Sequence, residues 1–207
     1  MSREAFKVVD QFEAALAAYT GAPFVVTTDS CTNALYLCFK LLHIKLLHIS
    51  SGKQKLKIPK RTYVGVPRAA INAGHEVEFF DEEWVGEYGI ATKGGPIIDA
   101  ARWLRGGMYE WFSYTCVSFQ ATKHLPIGRG GAILCDDEQE AEWFRRARFD
   151  GRDQNVSLFD QKVFGFGIHA YMTPPDAARG LWLLQNLPKD NKPIPGSYPD
   201  LSLVKFS

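Results

Sequence analysis

Residues 115–135 read Thr115-Cys116-Val117-Ser118-Phe119-Gln120-Ala121-Thr122-Lys123-His124-Leu125-Pro126-Ile127-Gly128-Arg129-Gly130-Gly131-Ala132-Ile133-Leu134-Cys135. A β-rich apolar run reaches Ser118, and Lys123 follows five residues later. A glycine-rich turn then leads into a second apolar run. The two runs predict buried strands at 116–119 and 132–134 with a turn between them. A lysine held in such a turn, near an anion site, can form a Schiff base with a cofactor aldehyde. The stretch therefore points to pyridoxal phosphate (PLP).

On either side of this stretch, helical and extended patterns alternate. Phe6, Val9, Phe12 and Leu16 recur at helical spacing and predict a helix over 4–18, ended by Gly21 and Pro23. Residues 24–26 read as a strand, 27–30 as a polar turn with N-cap chemistry, and 32–42 as a helix. Further strands are expected at 56–59, at 76–80 and at 96–98, the last ending on Asp99. Helices are expected at 64–73, despite Pro67, at 137–148 and at 174–187. Residues 51–57 read as a basic loop, 81–95 as an acidic glycine-containing loop, and 188–207 as an irregular, proline-rich tail. The whole predicts an α/β fold: a three-layer α/β/α sandwich on a mostly parallel sheet, one large domain over 1–187, and the tail. Leu41-Leu42-His43-Ile44-Lys45 is nearly duplicated by Leu46-Leu47-His48-Ile49-Ser50. The repeat is too short for a solenoid, and a five-residue step does not align its histidines on one helix face, so no metal site is predicted.

Composition narrows the class. The 207 residues are 46% hydrophobic and 23% charged, ordinary for a globular protein. A net charge of +1 gives no general attraction to nucleic acid or to an anionic membrane. No apolar run is long enough to span a bilayer, and the first residues lack the apolar core of a signal peptide, so a cytoplasmic protein is expected. The cysteines, Cys31, Cys38, Cys116 and Cys135, form no CxxC pair and read as buried reduced thiols.

Three further features bear on Lys123. Asp29-Ser30-Cys31-Thr32-Asn33-Ala34-Leu35 joins a strand to a helix. Backbone N–H groups at that helix start can bind phosphate, Thr32 adds a hydroxyl, and a plain N-cap is the competing reading. Asp99 ends a strand, where ligands of open α/β sheets gather, and it can pair with the pyridine nitrogen of PLP; a helix cap is the alternative. Tyr63 follows a strand and can stack on the cofactor ring, unless it is simply core.

The order of these signals resembles fold-type I PLP enzymes, and in particular the DegT/StrS-type PLP-dependent sugar aminotransferase family. Phe12-Glu13-Ala14-Ala15-Leu16-Ala17-Ala18-Tyr19-Thr20-Gly21 is similar to the family's entry helix. Ser30-Cys31-Thr32-Asn33-Ala34-Leu35 is similar to its phosphate turn, and Asp99-Ala100-Ala101 to its Asp-Ala-Ala motif. Ser118 to Lys123 with Gly128-Arg129-Gly130-Gly131 resembles its lysine segment. Tyr171-Met172-Thr173 and Ala177-Ala178-Arg179-Gly180 resemble its Arg-Met-Thr and Ala-Ala-x-Gly segments. The resemblance implies that Lys123 carries PLP and moves the proton between carbons. Asp99 would pair with the ring nitrogen, and Tyr63 would cover one ring face. Ser118, Thr32 and the Cys31 backbone would hold the phosphate. Glutamate would give its amino group to a keto sugar carried on a nucleotide. The resemblance also implies a homodimer, with the region of His169 against the partner's phosphate.

The chain departs from the pattern in places. Arg102 stands where the family has Gln or His near the ring hydroxyl, Arg129 where it has an acid, and His169 where it has Asn. His124, beside Lys123, is a candidate second proton carrier. Family members run longer. A short form is therefore expected, without the N-terminal arm and C-terminal small domain, and with a helix–strand–helix stretch missing between Phe80 and Pro96. Two alternatives follow: a catalytically altered PLP-binding relative acting as a regulatory or partner subunit, and a PLP enzyme of another reaction type, such as a sugar dehydratase.

Overall fold

The computed structural model describes residues 3–47, 55–90 and 96–206. A 3₁₀ turn (Arg3–Phe6) opens into α1 (Lys7–Thr20), followed by β1 (Phe24–Thr28) and α2 (Cys31–Leu47). Next come β2 (Lys55–Pro59), α3 (Gly65–Ala73), β3 (Glu76–Phe80), β4 (Tyr88–Ile90) and β5 (Ile97–Asp99). The rest is β6 (Tyr114–Ser118), β7 (Gly131–Cys135), α4 (Glu138–Ala147) and α5 (Pro174–Leu184), with short 3₁₀ turns at Leu158–Asp160 and Leu201–Leu203.

Five strands form one sheet in the order β1-β7-β6-β5-β4, and β2-β3 form a second, two-stranded sheet. Alternation along the strands explains why both faces of the larger sheet are covered. Val26, Ile97, Cys116, Ile133 and Cys135 point into a core under α2, α3 and α4. Their neighbours Val25, Ile98, Val117, Ala132 and Leu134 point into a second core under α1 and α5. Helix α2 is apolar on most of its circumference, with Leu35, Leu37, Cys38, Phe39, Leu41 and Leu42 all buried. That suits a helix packed against both the sheet and α3. All four cysteines are buried and free, with the Cys38 and Cys116 sulfurs 3.7 Å apart.

The sheet is mixed, not mostly parallel. Within the five-stranded sheet only β5 and β6 pair in parallel, as β2 and β3 do in the smaller one, whereas β1–β7, β6–β7 and β4–β5 are antiparallel. The cause lies in the connections. Residues 119–130 hold no helix, so the chain leaving β6 turns straight back as β7. Reversing β7 makes both of its pairings antiparallel, while β1, β5 and β6 still share one direction. β4 lies in the stretch expected to be loop. Its three residues include a glycine and give too short an alternation to read. The basic segment begins β2 at Lys55, and its residues 51–54 lie outside the described residues, as does the second copy of the duplication from His48. Helix α5 ends at Leu184, three residues short of the expectation. Among the described residues, no helix is long and apolar enough to cross a membrane.

After α5 the chain returns across the sheet's edge. Leu201 is buried, its N–H donates to Lys60 O at 2.8 Å, and Asp200 pairs with Lys60 at 3.2 Å. On the opposite side, three elements meet at one buried ion pair. Arg148, 1% exposed at the end of α4, donates through Nη1 to the Glu13 carboxylate of α1 and to Thr27 of β1. Thr27 donates its N–H and its hydroxyl to the same Glu13 oxygen, at 2.9 and 2.8 Å. Removing one member of a buried pair leaves the other charge uncompensated. Arg148→Met is expected to cost about 3–5 kcal/mol, and Glu13→Leu combined with it to recover much of that loss. Urea denaturation of the single and double variants checks this; a single variant within about 1 kcal/mol of the parent would contradict it.

Candidate active site

Because β1, β5 and β6 share a direction, their C-terminal ends meet at one edge, where ligands of α/β sheets gather. A cavity of about 360 Å³ lies there. Its walls include Cys31 and Thr32 at the start of α2, Tyr63 after β2, Asp99 at the end of β5, Arg102, Ser118 at the end of β6, and Lys123. Seven of the eight expected site residues are thus brought together.

A close backbone approach builds the cavity floor. In the sheet register Gly131 lies between Thr28 of β1 and Ser118 of β6. A Cβ at Gly131 would stand 2.4 Å from the Cys31 nitrogen. Only glycine lets the turn before α2 settle against β7, beside Ser118. The N-terminus of α2, which favours anions, therefore faces the cavity together with the hydroxyl-bearing Thr32 and Ser118. Ser30 Oγ accepts the Asn33 N–H at 3.2 Å and caps the helix. Asp29 carries a carboxylate near this site. Arg129, from the glycine turn, pairs with that carboxylate at 2.5 Å and limits its repulsion of an incoming anion.

Asp99 is 6% exposed. Its Oδ1 accepts the Ala101 N–H at 3.0 Å, and its Oδ2 accepts the Tyr88 hydroxyl at 2.9 Å. Tyr88 in turn is 2.6 Å from the Thr62 hydroxyl. Burial raises the Asp99 pKa, while the Ala101 and Tyr88 hydrogen bonds and the charge of Lys123 pull it back. Lys123 is shifted the opposite way. Burial lowers its pKa most, the Arg102 charge lowers it further, and Asp99 and Cys31 oppose. Among the described residues, its amine makes no side-chain hydrogen bond. The Cys31 thiol is pushed well above its ordinary value, by burial first and then by Asp99 and Cys116. It stays protonated, so it is no rival nucleophile.

Two sequence candidates behave differently. His169 stands outside the cavity, 69% exposed, with Nδ1 2.9 Å from Asp150. His124 is tied to main chain, 2.9 Å from Lys192 O and 3.4 Å from the Leu104 N–H, and it does not line the cavity. Sequence reading also missed part of the wall. Trp84, Tyr198 and Gln120 line the cavity, and Tyr88 supports Asp99 from behind. The only signal for Trp84 and Tyr88 was the presence of large aromatics inside an acidic loop, and Tyr198 lay in a proline-rich tail with no pattern at all.

Comparison with known proteins gives consistent results. A model of the DegT/DnrJ/EryC1/StrS aminotransferase family matches residues 3–85 and 105–193. The stretch between, which holds β4, β5, Asp99 and Arg102, lies outside the match. A UDP-4-amino-4,6-dideoxy-N-acetyl-beta-L-altrosamine transaminase of Campylobacter jejuni is 23% identical over 87% of this chain and 57% of its own length. The chain thus spans little more than half of that relative. Sugar aminotransferase CalS13 from Micromonospora echinospora superposes with a TM-score of 0.71 at 16% identity, covering 87% of this chain and 60% of that one. NtdA from Bacillus subtilis, solved with its cofactor PMP bound, gives 0.68 at 20% identity, covering 87% and 48%. The structural likenesses establish the fold, and the family match over most of the sequence establishes that the chain belongs to the DegT/DnrJ/EryC1/StrS aminotransferase family.

Proposed function

We propose that the chain is a PLP-dependent aminotransferase that moves an amino group from glutamate to a keto sugar linked to a nucleotide. One observation carries this reading: the Lys123 amine shares a single cavity with the buried Asp99 carboxylate and with the hydroxyls of Thr32 and Ser118 at a helix start. Each group suits a different part of the cofactor. The start of α2, with Thr32, Ser118 and the Cys31 backbone, would hold its phosphate. Asp99 would face its ring nitrogen, and Tyr63, half-exposed at the mouth, would cover the ring. Arg102 would face the ring's other edge. When bound, PLP supplies an aldehyde for the amine and a ring that accepts electrons. The chain supplies the rest. With the cofactor bound, Asp99 would set a negative charge against the ring nitrogen and favour its protonated form, and Lys123 Nζ would be the group placed to hold or move a proton. The PMP-bound relative and the transaminase relative support this assignment.

A second reading is a PLP-binding relative with altered catalysis that works as a regulatory or partner subunit. Two contacts favour it. Tyr88 already occupies one Asp99 oxygen, and Arg102 donates to main chain of residues 194–195. In either case the protein is read as a cytoplasmic homodimer. Exposed Leu158, Phe159, Val163 and Phe164 form an apolar segment of the kind that marks an interface.

Added PLP is expected to give the purified protein a visible absorption band, and Lys123→Ala to abolish it. A parent protein that stays colourless with PLP would overturn the cofactor assignment. Adding glutamate separates the two readings: loss of the visible band supports transamination, whereas an unchanged band supports the altered relative. For the assembly, Phe159→Glu with Phe164→Glu is expected to raise the dimer dissociation constant more than about tenfold by sedimentation velocity. A parent that sediments as a monomer at micromolar concentration would contradict the dimer.

A further inference from the structure

Arg102 has an unusual set of partners. Its Nε donates to Ile194 O at 2.9 Å, its Nη1 to the Tyr198 hydroxyl at 3.1 Å, and its Nη2 to Pro195 O. The guanidinium also lies over the Tyr198 ring, 5.4 Å from its centre. Every acceptor is neutral, and among the described residues no carboxylate pairs with it. A positive charge without a direct carboxylate partner is therefore held at the wall of the cavity that contains Lys123.

The segment that holds Arg102 is itself fastened at both ends. Tyr198 stacks on Trp84 at 6.0 Å with 21° between the planes. Beyond it, Asp200 pairs with Lys60 and Leu201 is buried. Before it, the Ile194 N–H donates back to Arg102 O at 2.9 Å, and Asn191 O accepts from the Trp103 indole. A Cβ at Gly196 would stand 1.9 Å from the guanidinium, so the segment lies flat against it. Long, flexible arginines seldom keep one position at a surface; this one is clamped from three sides.

We propose that Arg102, clamped by residues 194–198, is a positioning residue that makes the Lys123 amine more reactive towards electrophiles at a given pH. Two like charges lining one cavity repel, so the lysine gives up its proton more readily. The other groups that face Lys123 do not substitute for this. Asp99 from β5 acts in the opposite sense. Cys31 from α2 is a neutral thiol, and Arg129 in the glycine turn is paired with Asp29. Tyr63 and Tyr198 complete the titratable lining. Burial lowers the Lys123 pKa most and Arg102 is the next cause, which agrees with the geometry. The 194–198 segment thus links the C-terminal part of the chain to the reactivity of a lysine that lines the same cavity.

The test is competitive acetylation of the cofactor-free protein with acetic anhydride across about pH 6 to 11, read by mass spectrometry of the Lys123 peptide. Exposed Lys162 serves as the internal reference. The reagent needs only the amine, so the result stands whether or not PLP binds. Arg102→Gln is expected to move the Lys123 midpoint upward by roughly half a pH unit or more, and Arg102→Lys to stay nearer the parent. Tyr198→Leu, which keeps the charge but loosens the clamp, is expected to give a smaller upward shift. A midpoint unmoved in folded Arg102→Gln overturns the proposal, and one unmoved in Tyr198→Leu overturns the role of the segment. Should Arg102→Gln not fold, Tyr198→Leu alone decides.

Discussion

The site depends on one close approach. Gly131 begins β7 where the backbone of Ser30 and Cys31 passes, and no side chain fits between them. That contact sets the start of α2 against the end of β6, so a helix dipole, two hydroxyl side chains and the Lys123 turn converge on one corner. Any larger residue would push backbone against backbone, since the nearest atoms belong to Ser30 and Cys31 and not to a flexible side chain. The sheet supports the corner from beneath. Its strands alternate between two cores, so neither face can slip without exposing apolar surface.

Much of this was legible in the sequence, for definite physical reasons. The runs around Lys123, the Ser30 cap and the strand ending on Asp99 are local patterns, and local patterns survive folding. The reading failed where structure depends on distant partners. Strand direction was misjudged because alternation of strands and helices was taken to imply helical crossovers throughout, while the connection from β6 to β7 has none. Strand β4 is too short to show a period, and its value lies in Tyr88 reaching Asp99. The role of the tail was invisible, since Ile194, Pro195 and Tyr198 matter only through Arg102, some ninety residues earlier. His169 carried a motif position, yet it lies on the surface beside Asp150, where one chain alone gives it no access to the cavity.

Apart from Arg102, the charges in and beside the cavity stand as opposed pairs. Arg129 neutralises Asp29 near the helix start, and Asp99 faces Lys123 across a region that burial makes unfavourable for both. A carboxylate pushed up and a lysine pushed down are destabilised in the form each normally takes at neutral pH. A bound group that offers a protonated nitrogen to one and an aldehyde to the other relieves both. This complementarity, more than any single residue, supports a pyridoxal-type ligand.

The most direct test of that account is to incubate the protein with one equivalent of PLP, reduce with borohydride and map the product by mass spectrometry. The account predicts a single pyridoxyl phosphate adduct, on Lys123, that is lost when Asp99 is replaced by Ala. Label spread over exposed lysines such as Lys162, with Lys123 unmodified, would contradict it.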